Sequence, residues 1–168
     1  MRVDPLKFGD ESEILEKTAR ITPQWVAGFF DGDGHVGITV QTGPSRKYLR
    51  PKCTFTGKDC LVLAIIASKY GFGGPFLKES KKYKSDVYEI ESRGGEIHPF
   101  LAMIRPYVVI RRPQVELAIE FCEKFLVGSG YRLSQEQYDQ AMIIRNKISE
   151  MNGAGKKLVP VRLEDLCL

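Results

Sequence analysis

Residues 22–34, Thr-Pro-Gln-Trp-Val-Ala-Gly-Phe-Phe-Asp-Gly-Asp-Gly, constrain the fold of this chain more than any other stretch. Thr22-Pro23 opens it as a helix start: a hydroxyl N-cap, then a proline whose missing N–H is no loss in the first turn. Gly32 and Gly34 are expected to stop the helix. In about ten residues it carries two glycines four apart, and Ala27, Gly28 and Gly32 fall on neighbouring positions of one face. Small side chains at that spacing let a second backbone come close, as in membrane helix pairs, although this segment is too short to span a bilayer. Asp33 stands at the helix C-terminus, where the macrodipole opposes a carboxylate, so fold stability alone does not account for it.

Two other readings of the same residues fail on context. Gly32-Asp33-Gly34-His35-Val36-Gly37 is literally a GxGxxG string, but a dinucleotide fingerprint follows a strand and opens a helix, and here the glycines close a helix and precede a strand. Asp31-Gly32-Asp33 begins like a calcium loop, yet Val36 occupies the glycine position and Thr42 the position of the bidentate glutamate.

With 168 residues, 43% of them apolar and 27% charged, the chain is expected to form one soluble globular domain. A division into an N-terminal arm or helix (1–21), a main domain (22–151) and a C-terminal tail (152–168) is expected. The N-terminus has no apolar core of a targeting signal and carries acids early. Cys53, Cys60, Cys122 and Cys167 show no CxxC spacing and His35 and His98 lie far from them in sequence, so no zinc site is legible and a reducing compartment is the default. The net charge of +4 conceals an asymmetry: residues 46–84 hold ten Lys/Arg against two acids, Asp59 and Glu79, which leaves the remainder net acidic. A basic band of this kind points to a polyanion on one face.

That band overlaps a strand pattern. Val36, Ile38 and Val40 alternate with His35, Thr39 and Gln41; Leu49, Cys53 and Phe55 alternate with Tyr48, Arg50, Lys52, Thr54 and Thr56. The joining loop carries Arg46 and Lys47. Asp59 caps a helix to about Tyr70 that Gly71 ends, Gly73-Gly74-Pro75 reads as a turn, and strands are expected near 76–80 and 85–90. Lys78, Lys82, Lys84, Asp86 and Tyr88 lie on or between them, and the parity of the last strand is ambiguous. Helices are expected near 96–104, from Pro113 to about Leu126, and from a Ser134/Gln137 capping box to about Met151, which Asn152-Gly153 ends. The expected class is α+β, in the order αββαββα with C-terminal helices. A sheet face carrying these polar and cationic side chains suits the major groove of DNA, where donors and acceptors distinguish all four base pairs.

Val-Ala-Gly-Phe-Phe-Asp-Gly-Asp-Gly at 26–34 resembles the signature of the LAGLIDADG homing endonucleases. The resemblance implies a curved antiparallel sheet and signature helices that pack side by side at a two-fold axis, with the last acid of each, here Asp33, reaching the scissile phosphates. It extends over roughly residues 22–126, and the signature occurs once, as in members that act as homodimers. The resemblance further implies a sequence-specific double-strand DNA endonuclease, intron-encoded in many relatives and organellar where an organelle encodes it. It would act on a long pseudo-palindromic site and leave 3′ overhangs. Two copies of Asp33, with the Gly32 carbonyl as a further oxygen ligand, suit Mg²⁺ or another hard divalent cation such as Mn²⁺. Arg111 falls at the family's basic position near the scissile phosphate.

One position departs from the pattern. Gly57 stands where many relatives carry a glutamine that positions active-site water, so Lys58 or Asp59 takes over that role or the enzyme is slow or inactive. The alternative is a catalytically weak or inactive descendant, an RNA maturase that binds intron RNA or a DNA-binding protein.

Overall fold

The computed structural model describes residues 4–42, 47–78, 86–126 and 133–153. After a 3₁₀ turn at Pro5–Lys7 come α1 (Glu11–Arg20), α2 (Pro23–Asp33), β1 (Gly34–Thr42), β2 (Lys47–Gly57), α3 (Cys60–Tyr70), β3 (Gly73–Leu77) and β4 (Tyr88–Arg93). A second 3₁₀ turn at Gly94–Glu96 leads to α4 (Ile97–Ile104), α5 (Arg112–Phe125) and α6 (Gln135–Met151). From α2 to α4 this is the α+β order αββαββα expected from the sequence. The two helices expected next, near 96–104 and from Pro113 to about Leu126, are α4 and α5, separated by the turn at Arg105–Tyr107.

Caps in the sequence set most helix starts. The Thr22 hydroxyl accepts from Trp25 N at 3.2 Å, Asp10 from Glu13 N at 2.9 Å and Asp59 from Val62 N at 3.0 Å. Ser134 and Gln137 complete their reciprocal box. Gly71, at φ +77°, ends α3 in the left-handed conformation that glycine adopts without strain.

The strands are antiparallel and ordered β1-β2-β4-β3. Val36, Ile38, Leu49, Cys53, Phe55 and Ile90 face the helices, and a hydrophobic core fills the space between. β1 is an edge strand, and α6 covers it: the Asn152 amide donates to the Val36 carbonyl at 2.9 Å. α3 is apolar on nearly all sides, so it must be covered on both. The sheet takes one side and the N-terminal segment the other. A Cβ on Gly9 would stand 2.6 Å from Leu61, Lys17 pairs with Asp59 at 2.8 Å, and Lys69 donates to the Ile21 carbonyl at 2.9 Å. Residues 4–21 thus form part of the folded body.

α2 is held to the sheet by aromatic rings. Phe55 of β2 lies 5.4 Å from Phe29 and 5.5 Å from Phe30 of α2, 5.6 Å from Phe72 and 5.8 Å from Phe100 of α4, mostly edge to face.

Several boundaries differ from expectation. Gly32 does not stop α2, which continues through Asp33. The helix ends at Gly34, whose extended backbone opens β1 and where a Cβ would meet the Phe30 ring and the Phe30 carbonyl at 2.6 Å or less. Gly73-Gly74-Pro75 belongs to β3: on an edge strand, with the register shifted between Gly73 and Phe76, a proline removes no ladder bond that a neighbour needs. β3 therefore starts and ends earlier than expected. β4 runs later, to Arg93, because β2 is long enough to pair Lys52 with Arg93.

Phe55→Ala empties the centre of the aromatic cluster. A loss of about 3–5 kcal/mol is expected by denaturant titration, a large part of a typical domain's stability.

Candidate active site and nucleic-acid interface

α2 passes into β1 with no intervening loop, so Asp33, the last helical residue, is two positions from His35 at the head of the sheet. Asp33 is exposed, and no ion pair or hydrogen bond among the described residues occupies its carboxylate. Asp31, two positions earlier, is fully engaged. Its two carboxylate oxygens accept from Val109 N at 2.7 Å and Arg111 N at 2.8 Å. Arg111 returns the contact through its guanidinium, donating to the Asp31 carbonyl at 3.2 Å and the Gly32 carbonyl at 3.5 Å. A cation on these terminal carbonyls is favoured by the helix dipole and offsets the two acids there. Arg112 ties the same loop from its other side, donating to the carbonyls of Val108, Pro106 and Arg105. The outcome is a braced loop whose Val109 and Ile110 side chains are 78% and 75% exposed.

Arg111 therefore lies beside the α2 terminus and caps the helix through its last carbonyls. Asp31 was missed, although a carboxylate opposed by a helix dipole is a signal that it shares with Asp33. Lys58 is exposed at the β2–α3 turn, next to Gly57, whose own Cβ position is 3.5 Å from the Phe29 ring of α2. Asp59 is engaged elsewhere: one oxygen caps α3 and the other holds Lys17.

The small-residue face needs correction. Ala27 is completely buried in the core and cannot meet a second chain; one residue on, the 100° turn of the helix carries Gly28 outward. Gly28 and Gly32 are exposed, and a Cβ on either would meet nothing within 4 Å.

On the sheet, His35, Thr39 and Gln41 of β1 and Tyr48, Arg50, Lys52 and Thr56 of β2 share the face away from the helices, paired as Thr39↔Arg50 and Gln41↔Tyr48. Thr39 donates to the Arg50 carbonyl at 3.0 Å. His35 is exposed, yet desolvation, then the charges of Arg111 and Lys52, push its imidazole below the usual range. Thr54 has the right parity but is 5% exposed, covered between His35 and Glu91, so it presents little to a ligand. Tyr88 has the wrong parity. It packs against the core, and Glu89, Glu91 and Arg93 take the outward positions of β4. Asp86 is exposed but precedes the strand. Arg46, Lys82, Lys84 and the side chain of Lys47 lie outside the described residues.

The β4 acids reshape the charge of this face. Lys78 pairs with Glu89 at 2.7 Å, Lys52 with Glu91 at 2.9 Å and more loosely with Glu89 at 3.7 Å, and Arg93 with Glu91 at 2.8 Å. Burial raises the Glu91 carboxyl, but hydrogen bonds from Lys52 and Arg93 outweigh it and hold the group below its usual range. Phe76 joins the face opposite Glu89. Glu89, Glu91 and Arg93 were missed because the last strand's parity could not be read and the basic window ended at 84.

Among the described residues no three His, Cys, Asp or Glu side chains converge as a metal centre, and no helix is long and apolar enough to cross a membrane. No protein-family model and no curated protein matches the chain. Solved structures do. The homing endonuclease I-CvuI, in complex with the I-CreI target in the presence of Mg, matches with a TM-score of 0.66 at 16% identity, over 86% of this chain and 89% of that one. This chain has the LAGLIDADG homing-endonuclease fold. The archaeal intron-encoded I-Vdi141I, complexed with DNA, shares the LAGLIDADG fold with a TM-score of 0.63 at 15% identity, over 88% and 92% of the two chains. I-SmaMI bound to uncleaveable DNA matches with 0.62 at 13% identity, over 77% of this chain but only 45% of its own.

Asp31→Ala removes both acceptors that brace the loop of this LAGLIDADG fold. Hydrogen exchange at Val109 and Arg111 should accelerate well beyond that of the core strands, with a stability loss of about 2 kcal/mol.

Proposed function

We propose that the chain is a sequence-specific, divalent-metal-dependent DNA endonuclease acting as a homodimer, with Asp33 as its catalytic carboxylate. The observation that carries this reading is the unengaged Asp33 carboxylate at a helix terminus that disfavours it, at the edge of a polar sheet face. The neighbours in fold are endonucleases described in complex with DNA, which supports the same partner here.

One protomer supplies too few oxygens for a hard cation. The Asp33 carboxylate is open, and the Gly32 carbonyl bears only the long contact from Arg111. Two chains meeting at α2 double that set, and DNA phosphates complete it. Mg²⁺ or Mn²⁺ bound there would polarise a phosphodiester oxygen and lower the pKa of a water. Arg111, braced by Asp31, offers its guanidinium to the charge developing on the phosphate, and Lys58 lies on the turn where Gly57 leaves room. The sheet face, with Thr39, Gln41, Tyr48, Arg50 and Lys52, lies in the groove of each half-site. The expected products carry 3′ overhangs.

The dimer reading is supported by Gly28 and Gly32, which no contact among the described residues requires, and by the exposed Val109 and Ile110 of the loop at the end of the same helix. The match to 45% of I-SmaMI is also what one unit of a two-unit protein would give. Gly57 keeps one other reading in view: a descendant that binds DNA or intron RNA without cutting.

Cleavage of a randomised duplex library with Mg²⁺, with Ca²⁺ and Asp33→Asn as controls, decides between them. One long, near-palindromic motif with staggered ends is expected, and Asp33→Asn should reduce cutting at least about a hundredfold while retaining binding. Retention of duplex without cutting, restored by Gly57→Gln, would establish the binding reading. Gly28→Leu should shift sedimentation from two chains to one without loss of helical signal, and a monomeric wild-type chain at binding concentrations removes the two-site mechanism.

A further inference from the structure

We propose that Glu89 and Glu91, with Lys52 held between them, read a G·C base pair in the major groove, so that this part of the sheet selects sequence instead of gripping phosphate. The inference rests on the reading of the sheet face as a DNA-binding surface. It starts from a feature that a purely electrostatic DNA-binding face would lack. Three cations, Lys78, Lys52 and Arg93, alternate with two carboxylates across β2, β4 and the end of β3, and each cation has an anionic partner within 2.9 Å.

Unpaired lysines would attract phosphate at any sequence, and that attraction carries no information about bases. Pairing weakens it, because a lysine that moves to a phosphate leaves its carboxylate facing a polyanion. The paired lysine still keeps a donor. Lys52 uses one N–H on Glu91 at 2.9 Å and only a long contact at 3.7 Å on Glu89, out of three N–H bonds.

The carboxylates restrict the choice further. A glutamate can only accept, so guanine N7 and O6, thymine O4 and every phosphate oxygen repel it. The donors in the major groove are the amino groups of cytosine and adenine. A glutamate next to a lysine therefore presents an acceptor beside a donor. Both kinds of base pair place an amino group beside an acceptor in the major groove, and the cytosine N4 amino group beside guanine O6 and N7 is the better complement, because glutamate to cytosine and lysine to guanine are the pairings that groove geometry favours. A base that turns an acceptor toward the carboxylate meets an actively repulsive group, which is how specificity exceeds affinity.

The test is selection from randomised duplexes in Ca²⁺, using the full chain as wild type, Glu89→Gln, Glu91→Gln and Lys52→Met, each checked for an unchanged melting profile. Wild-type sites should carry a G·C pair at a fixed position in each half-site. In at least one glutamine variant the preference there should move to A·T, because glutamine pairs in bidentate fashion with adenine, with a change in discrimination of about tenfold or more. Lys52→Met should relax the same position. If every variant selects the wild-type site, or if the glutamine variants only bind all duplexes more tightly with steeper salt dependence, the carboxylates merely mask the lysines and the proposal falls. If the wild-type chain selects no duplex at all, the DNA-binding reading itself fails and takes this proposal with it.

Discussion

The packing of Phe30 against Phe55, with Gly34 pressed onto the Phe30 ring and carbonyl, is the contact on which the rest of the structure depends. It fixes α2 to the sheet at the point where the helix ends, and it removes any room for a loop between α2 and β1. A chain with a flexible turn there could place a carboxylate anywhere in a wide cone. Here Asp33 and His35 are locked to one corner of the sheet by side chains that lie in the core. The position of the Asp33 carboxylate relative to the polar face of the sheet is therefore set by core packing. Substitutions far from either can disturb it by loosening the aromatic cluster.

The same helix resolves an electrostatic conflict in two different ways. Asp31 and Asp33 both sit where the helix dipole is unfavourable. Asp31 is compensated within the chain by two backbone amides and by the Arg111 guanidinium lying over its own carbonyl. Asp33 has no such compensation among the described residues. Two chemically identical residues two positions apart thus separate into a structural brace and an open carboxylate, and the brace holds Arg111 at the end of the helix that carries the open one.

Much of this was legible in the sequence, for identifiable reasons. Caps such as Thr22, Asp59 and Ser134 are local devices, read from a few residues, and they placed the helix starts. The alternation in β1 and β2 was clear because one face is buried and the other open. β4 was not legible, since Tyr88 and Ile90 compete with Val87 for the buried parity and only the pairing with β2 decides between them. That ambiguity concealed Glu89, Glu91 and Arg93. Ala27 was misplaced because small size identifies a close approach without saying on which side of the helix it occurs. Asp31 escaped because its partners are backbone amides nearly eighty residues away, which no spacing rule records.

The glycines of α2 show how an isolated chain can point beyond itself. Gly34 has a reason inside the fold, since no side chain fits against Phe30. Gly28 and Gly32 have none among the described residues: a Cβ on either would meet nothing within 4 Å, and a glycine inside a helix is destabilising by roughly 0.5–1 kcal/mol relative to alanine. Two such residues in an eleven-residue helix are a cost that no contact described within the chain offsets. A second backbone approaching that face would supply the offset, because small residues let two helices meet at close range. The braced loop beside them presents Val109 and Ile110 to solvent, apolar surface of the kind that the same approach would bury. Brace, glycines and exposed apolar side chains all lie around the end of α2 that bears Asp33, so an assembly formed there would bring two such carboxylates together as a direct consequence of its packing.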